Sequence, residues 1–195
     1  MIHIGFLRHG PTAWNREGRI QGRSDIPLDS AALSELENLS APDEWSHCDV
    51  WSSPLCRASQ TANTVTGRAP RISDALIEMD WGQWEGQRGQ DLIADQNSDF
   101  RHIEDWGWDY RPPGGESPAD VRGRLLGWAN TLEKDALAVC HIGMIRVALA
   151  LAHGWDFSGP APFRVKRRRI YALGFENGVF SFLSETRLIN RDPGS

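Results

Sequence analysis

Ile2-His3-Ile4-Gly5-Phe6-Leu7-Arg8-His9-Gly10-Pro11-Thr12 opens the chain, an apolar run that ends on a cation and an imidazole. A nearly unbroken apolar run stopped by Gly-Pro reads as a strand buried on both faces, as in parallel sheets covered by helices. Ligands of such sheets bind at the carboxyl ends of the strands, so Arg8 and His9 stand where chemistry is expected. Arginine presents a planar fork of donors to phosphate or carboxylate, and histidine can be a neutral nucleophile at pH 7 without a helper base. The pair points to phosphoryl transfer through a phosphohistidine. A lone Arg-His dipeptide is more often a strand-end imidazole on a loop carbonyl beside a salt-bridged arginine, so the rest of the chain decides.

Working outward, strand-like and helix-like segments alternate, which predicts a three-layer α/β/α sandwich with a mainly parallel sheet. A polar loop over residues 10–29 leads to a helix near 30–38. Residues 49–52 read as a strand, and Ser53-Pro54 opens a helix over about 55–66, with proline at an early position where its missing N–H is harmless. A short strand is expected within 69–73, a helix near 118–132, a buried strand at 137–140 and a helix over 143–153. Residues 169–175 and 179–183 flank Glu176-Asn177-Gly178 and predict a hairpin, because Asn-Gly supplies the positive φ angles of a tight turn. Between 75 and 117 Gly, Trp, Asp and Arg crowd together without periodicity, which marks a lid-like insertion over the sheet edge. The whole chain, 1–195, reads as one domain carrying this insertion.

Composition narrows the partners. The chain has 195 residues, 40% of them hydrophobic, enough for a core without disulfide or metal staples. A formal charge of −5 disfavours nucleic acid and anionic membranes yet permits a local basic pocket for an anionic substrate. Cys48, Cys56 and Cys140 are odd in number and lack metal-site or disulfide-framework spacing, which suits reduced thiols in a cytoplasm. Met1 leads directly into the first strand, and the longest apolar run, Met144 to Ala152 broken by Arg146, is too short for a bilayer. A cytoplasmic protein acting on a small molecule is therefore expected, and a homodimer is left open. Nine tryptophans are many for this length and are assigned mainly to core or lid packing.

Three strand ends carry polar groups of one kind. The first gives Arg8 and His9; the second is followed by Ser52-Ser53-Pro54-Leu55-Cys56-Arg57; the strand ending at Cys140 is followed at once by His141. In a parallel sheet these ends share one edge, so two arginines and two histidines surround one anion beside helix N-termini of positive potential. Bidentate arginines and an imidazole suit the three equatorial oxygens of a phosphoryl group in flight. No His-x-His, His-Glu-x-x-His or paired-cysteine pattern occurs, and no metal or cofactor is expected.

These blocks also carry a resemblance. Leu7 to Thr12, Trp14-Asn15, Gly18 to Gly22 and Asp25 to Leu28 look like the opening of the histidine phosphatase superfamily, the clan of cofactor-dependent phosphoglycerate mutases and alpha-ribazole phosphatase. Ser52 to Ala62 resembles its second block, Glu78 with Gly82-Gln83-Trp84-Glu85-Gly86 its third, and Pro113 to Ser117 a further segment. The resemblance runs from end to end. It implies that His9 is the nucleophile, that Arg8, Arg57 and His141 hold the phosphoryl oxygens, that Glu78 is the proton donor, and that Asn15, Gln21 and Gly22 line the substrate pocket. Read from chemistry alone, Glu78 shares the acid role with Asp80 and Glu85 as rivals. His9 needs one nitrogen bonded to a carbonyl to fix its tautomer, and a desolvated Glu78 needs a raised pKa to arrive protonated.

Other readings exist in the same sequence. Cys140-His141-Ile142-Gly143-Met144-Ile145-Arg146 fits the Cys-x-x-Gly-x-x-Arg pattern of cysteine-dependent phosphatases, although Val147 follows where those enzymes carry a hydroxyl. A mutase would use the same site but return the phosphoryl group to another hydroxyl behind an extensive lid, and the chain lacks a long insertion for one, which favours hydrolysis. The run Arg164 to Arg169 suggests a nucleic-acid surface, against which the acidic total argues; the exposed start of a terminal strand explains it better.

Overall fold

The structure, a computed structural model, describes residues 1–191. The opening run forms β1 (Ile2–Arg8), the capped turn α1 (Ala13–Arg16) follows, and α2 spans Ser30–Glu37. Then come β2 (Leu39–Ser40), β3 (Asp49–Ser52), α3 (Cys56–Thr66), β4 (Arg71–Ile72) and α4 (Gly89–Ala94). The second half contributes α5 (Pro118–Ala129), β5 (Ala136–Cys140), α6 (Ile142–His153), β6 (Arg169–Glu176), β7 (Val179–Arg187) and β8 (Ile189–Asn190).

Six strands form one sheet in the order β4-β3-β5-β1-β6-β7, and β2 pairs with β8 separately. The first four strands run parallel and β6 and β7 are antiparallel, giving the expected mixed, mostly parallel sheet. Alternation along β1 sends Ile4 and Phe6 to one face, where they pack with Leu125 of α5 and Ile145 of α6. Leu7 goes to the other face, onto Leu36 of α2 and Ala58 of α3. Two apolar cores thus flank the sheet, which makes the three layers.

Local chemistry sets the element ends. Thr12 caps α1 and Ser117 caps α5, each in a reciprocal capping box, and Pro118 takes the first position of α5, where a missing N–H costs nothing. The start of α3 corrects the sequence reading: Pro54 lies before the helix, Leu55 is the cap residue without a side-chain bond, and the amide of Cys56 is capped by Asp25 Oδ1 at 2.7 Å. A distant loop carboxylate therefore supplies what a local cap would. The hairpin turn is as expected, with φ of 52° at Asn177 and 79° at Gly178, but β7 runs on to Arg187 because its ladder with β6 continues past the irregularity at Ala172/Leu173.

The aperiodic segment 75–117 contains short 3₁₀ turns and α4 and is held by aromatic contacts rather than a ladder. Trp84 meets Phe100 at 4.8 Å and Trp106 at 6.0 Å between ring centroids, and Trp106 meets Tyr110 at 5.2 Å. Such edge and tilted pairs add about 0.5–1.5 kcal/mol each beyond area burial. Four of the nine tryptophans, Trp81, Trp84, Trp106 and Trp108, lie in this segment. Among the described residues no helix is long and apolar enough to cross a membrane.

Candidate active site

The register places Arg8 beside Cys140 and Ser52 beside Val139, so the ends of β1, β3 and β5 lie side by side. His9 N–H donates to Cys140 O at 3.0 Å, which carries the ladder one residue further and sets His9 next to His141. Their ring centroids are 5.1 Å apart. Arg57, in the first turn of α3, is fully buried at the same edge, and Glu78 enters from the segment above it at 1% exposure. A cleft of about 200 Å³ opens at this edge, lined by Arg8, His9, Asn15, Gln21, Glu78 and the apolar walls Trp81, Phe100 and Ile142, while Arg57 and His141 are fully buried and outside its lining.

His9 Nδ1 lies 2.6 Å from Gly10 O. A carbonyl can only accept, so Nδ1 carries the proton and Nε2 keeps its lone pair. Burial first, then the charges of His141, Arg57, Arg8 and Arg167, hold the imidazole well below its ordinary pKa. His141 is depressed in the same way, by burial and then by Arg57 and Arg8, and its Nε2 meets Ser53 Oγ at 2.7 Å. Arg57 is clamped by the carbonyls of Ser24 at 2.8 Å and Gly22 at 2.6 Å. Three buried donors, Arg8 Nε, Arg57 Nε and Gln21 Nε2, and one ring nitrogen, His141 Nδ1, have no partner here. Unpaired buried polar atoms are rare, and four at one strand edge describe a socket for an acceptor-rich anion.

Glu78 lies at the N-terminus of α6. Its Oε1 accepts from Met79 N at 2.8 Å and from Gly143 N at 3.1 Å, and Oε2 lies 3.2 Å from the same Gly143 amide. These amides and the nearby Arg57 and Arg8 pull its pKa down, but desolvation is the larger effect and the carboxyl is raised above its ordinary value. Its rivals are spent elsewhere: Glu85 Oε1 accepts from Ser24 N at 2.6 Å and Gly22 N at 3.2 Å, and Asp80 accepts from Gly82 N at 2.8 Å and pairs with Arg23 at 3.4 Å.

Not every expected residue sits as anticipated. Asn15 and Gln21 line the cleft, but Gly22 does not, because its carbonyl is turned to Arg57 and its amide to Glu85. Cys140 is buried in β5 with its thiol pushed up by desolvation, and the Gly143 amide that a thiolate loop would need is aimed at Glu78. Arg167 is the group sequence reasoning missed. Expected at an exposed strand start, it turns inward, donating from Nη1 to His9 O and from Nη2 to Asn15 Oδ1 at 2.8 Å. Ser53, Thr61 and Thr12 were also unmarked: they hold His141, the Gly10 amide at 2.9 Å and Gln21 at 3.0 Å.

The two depressed histidines link folding to pH. The unfolded chain takes up protons at the ordinary imidazole value of 6.5, whereas the folded sites resist them, so stability is intact above that pH and falls as pH drops below it. Each histidine adds a slope of up to about 1.4 kcal/mol per pH unit. Glu78 acts oppositely, since its raised folded value favours the folded state as acid is added. Denaturant titrations from about pH 7.5 to about pH 5 should therefore show a steeper loss in the parent than in His9→Asn; equal slopes would contradict the depressed value of His9.

A parallel strand edge that joins the buried Arg57, the half-buried Arg8, two neutral imidazoles and a desolvated carboxyl defines an α/β protein suited to hold an anion such as a phosphoryl group. The chain belongs to the histidine phosphatase superfamily (branch 1), which it matches over residues 4–186. It is 26% identical over 193 residues to phosphoserine phosphatase 1 of Hydrogenobacter thermophilus (94% of this chain, 86% of that one). To a probable phosphoglycerate mutase GpmB of Salmonella choleraesuis it is 31% identical over 131 residues (64% and 60%). A phosphoglycerate mutase from Thermus thermophilus superposes with a TM-score of 0.69 at 26% identity, covering 97% of this chain and 100% of that one. A mycobacterial glucosyl-3-phosphoglycerate phosphatase shares the fold with a TM-score of 0.77, at 23% identity and 97% and 98% coverage. These relatives span phosphatases and mutases, so membership gives phosphoryl chemistry and leaves the substrate open.

Proposed function

We propose that the protein hydrolyses the phosphomonoester of a small metabolite through a phosphohistidine at His9. The observation that carries this reading is the His9 tautomer: Nδ1–H on Gly10 O leaves Nε2 unprotonated in a socket of unpartnered donors. Nε2 forms a bond to phosphorus as the ester P–O bond breaks, and Glu78 gives its proton to the departing oxygen. Arg8 and Arg57 neutralise the charge on the equatorial oxygens, and the neutral His141 adds a hydrogen bond to them. Glu78, now ionised, takes a proton from water as that water attacks phosphorus, and His9 leaves with its electron pair. Phosphate is released and both groups return to their starting states.

Hydrolysis is favoured over internal transfer because the segment 75–117 gives the cleft only Glu78 and the two aromatic side chains Trp81 and Phe100, less than the extensive cover that a mutase needs to exclude water. A mutase must keep water out while the phosphohistidine waits. Incubating the protein with 2- or 3-phosphoglycerate, phosphoserine and aryl phosphates should release inorganic phosphate. Interconversion of the phosphoglycerates without phosphate release would replace this reading with the mutase one.

Gly143 has a positioning role in this scheme. A methyl group added there would meet Glu78 Oε1 at 2.4 Å. Gly143→Ala therefore displaces the acid and also presses on the Met79 Cβ at 3.1 Å, so thermal stability is measured beside activity. Turnover of an alkyl phosphate is expected to fall by about 100-fold, the scale of a 1 Å misplacement, with a smaller loss on a nitrophenyl phosphate whose leaving group needs little proton assistance. Parallel kcat measurements on the two substrates check this.

A further inference from the structure

Beyond the catalytic cleft, a groove of about 640 Å³ runs between the start of β6, the end of β7 and β8, within the size range of ligand pockets. Five cations line it, Lys166, Arg167, Arg168, Arg169 and Arg187, in a protein of net charge −5. Two carboxylates answer them: Glu35 pairs with Arg168, and Glu185 with Arg169 at 3.3 Å. Among the described residues Lys166 and Arg187 make no side-chain hydrogen bond or ion pair, and both are exposed. Arg169 and Arg187 stand directly opposite each other on the β6–β7 ladder, a like-charge pairing in which Glu185 answers Arg169 and, among the described residues, nothing answers Arg187. Arg168 has a φ of 58°, a conformation costly for a side chain of this size, and it is the turn that sends Arg167 inward and Arg168 and Arg169 to the groove.

We infer that this groove binds a compact multiply charged phosphate, the di- or triphosphate group of a small molecule, as a site separate from the catalytic socket. Arginine forks suit phosphate oxygens bidentately, and the acidic surface elsewhere disfavours an extended polyanion. Arg167 borders both places, lining the groove while donating to His9 O and Asn15 Oδ1. Burial and the charges of Arg8 and Arg16 hold its pKa down to about 9, so it stands in a positive field that an anion would relieve. Occupancy of the groove is thereby placed to change turnover.

Pyrophosphate is the probe. In calorimetric titrations with the catalytic socket saturated by orthovanadate, pyrophosphate should still bind once per chain, and binding should weaken with salt. Lys166→Ala and Arg187→Ala should each weaken it by about tenfold, the loss of one charge-assisted bond, while kcat/KM without pyrophosphate stays at the parent value. Pyrophosphate that binds only in competition with vanadate, or equally well to both variants, would overturn the inference. So would a single-stranded oligonucleotide that binds the groove more tightly than pyrophosphate does. If the phosphohistidine reading fails instead, vanadate will not bind, yet binding that depends on Lys166 and Arg187 will persist.

Discussion

His9→Ala should abolish turnover, with kcat falling by on the order of 10⁴- to 10⁶-fold, while Cys140→Ser leaves most of it, because in the proposed scheme only the imidazole bonds phosphorus. The two residues are neighbours across the sheet edge, linked by the His9 N–H to Cys140 O bond, so they are easily confused in a sequence motif. Their environments separate them. His9 faces the cleft as a neutral base, since burial and the nearby Arg57, Arg8 and Arg167 make its proton costly. The thiol of Cys140 is sealed in β5, and the same burial works against its thiolate. Activity lost in Cys140→Ser without unfolding, and retained in His9→Ala, would install the cysteine mechanism.

The second large effect concerns the proton donor. If Glu78 protonates the leaving oxygen, Glu78→Gln should slow hydrolysis of an alkyl or sugar phosphate by about 10²- to 10⁴-fold, and that of a nitrophenyl phosphate far less. Arg57→Ala should slow both alike, because it acts on the phosphoryl oxygens rather than on the leaving group. The raised pKa of Glu78 gives the direction of the pH dependence. The acid is lost as pH rises through its folded value, so the alkyl-phosphate rate should decline on the alkaline side while the nitrophenyl rate holds. A Glu78→Gln variant equally slow on both substrates, with Glu85→Gln discriminating between them, would move the acid to Glu85. The structure speaks against that exchange, since Glu85 is held by the amides of Gly22 and Ser24.

Much of this site is legible in the sequence because its parts are local. Arg8-His9, Ser53 to Arg57 and Cys140-His141 each follow a short apolar strand, and parallel strands bring their ends together whatever the details between. What sequence could not give depends on partners far along the chain. The cap of α3 is Asp25, 31 residues from Cys56, so a local rule assigned the start to Pro54 instead. Arg167 lies 158 residues from His9, in a basic run whose composition suggests solvent; its inward turn depends on the unusual backbone at Arg168 and on the pairing of β6 with β1. The resemblance of the Gly18 to Gly22 block made Gly22 a substrate contact, whereas its carbonyl holds a buried guanidinium. Segment 75–117 resisted assignment for a related reason: ring-on-ring packing orders it, and that leaves no period in the sequence.

The central claim is a covalent bond between phosphorus and His9 Nε2, and it can be tested directly. The protein is mixed with a nitrophenyl phosphate, quenched within a turnover, digested and mapped by mass spectrometry under alkaline conditions that preserve phosphohistidine. The account predicts one acid-labile, base-stable phosphoryl group on His9, absent from His9→Ala. A phosphoryl group found on Cys140, or turnover at full rate with His9 never modified, would contradict it.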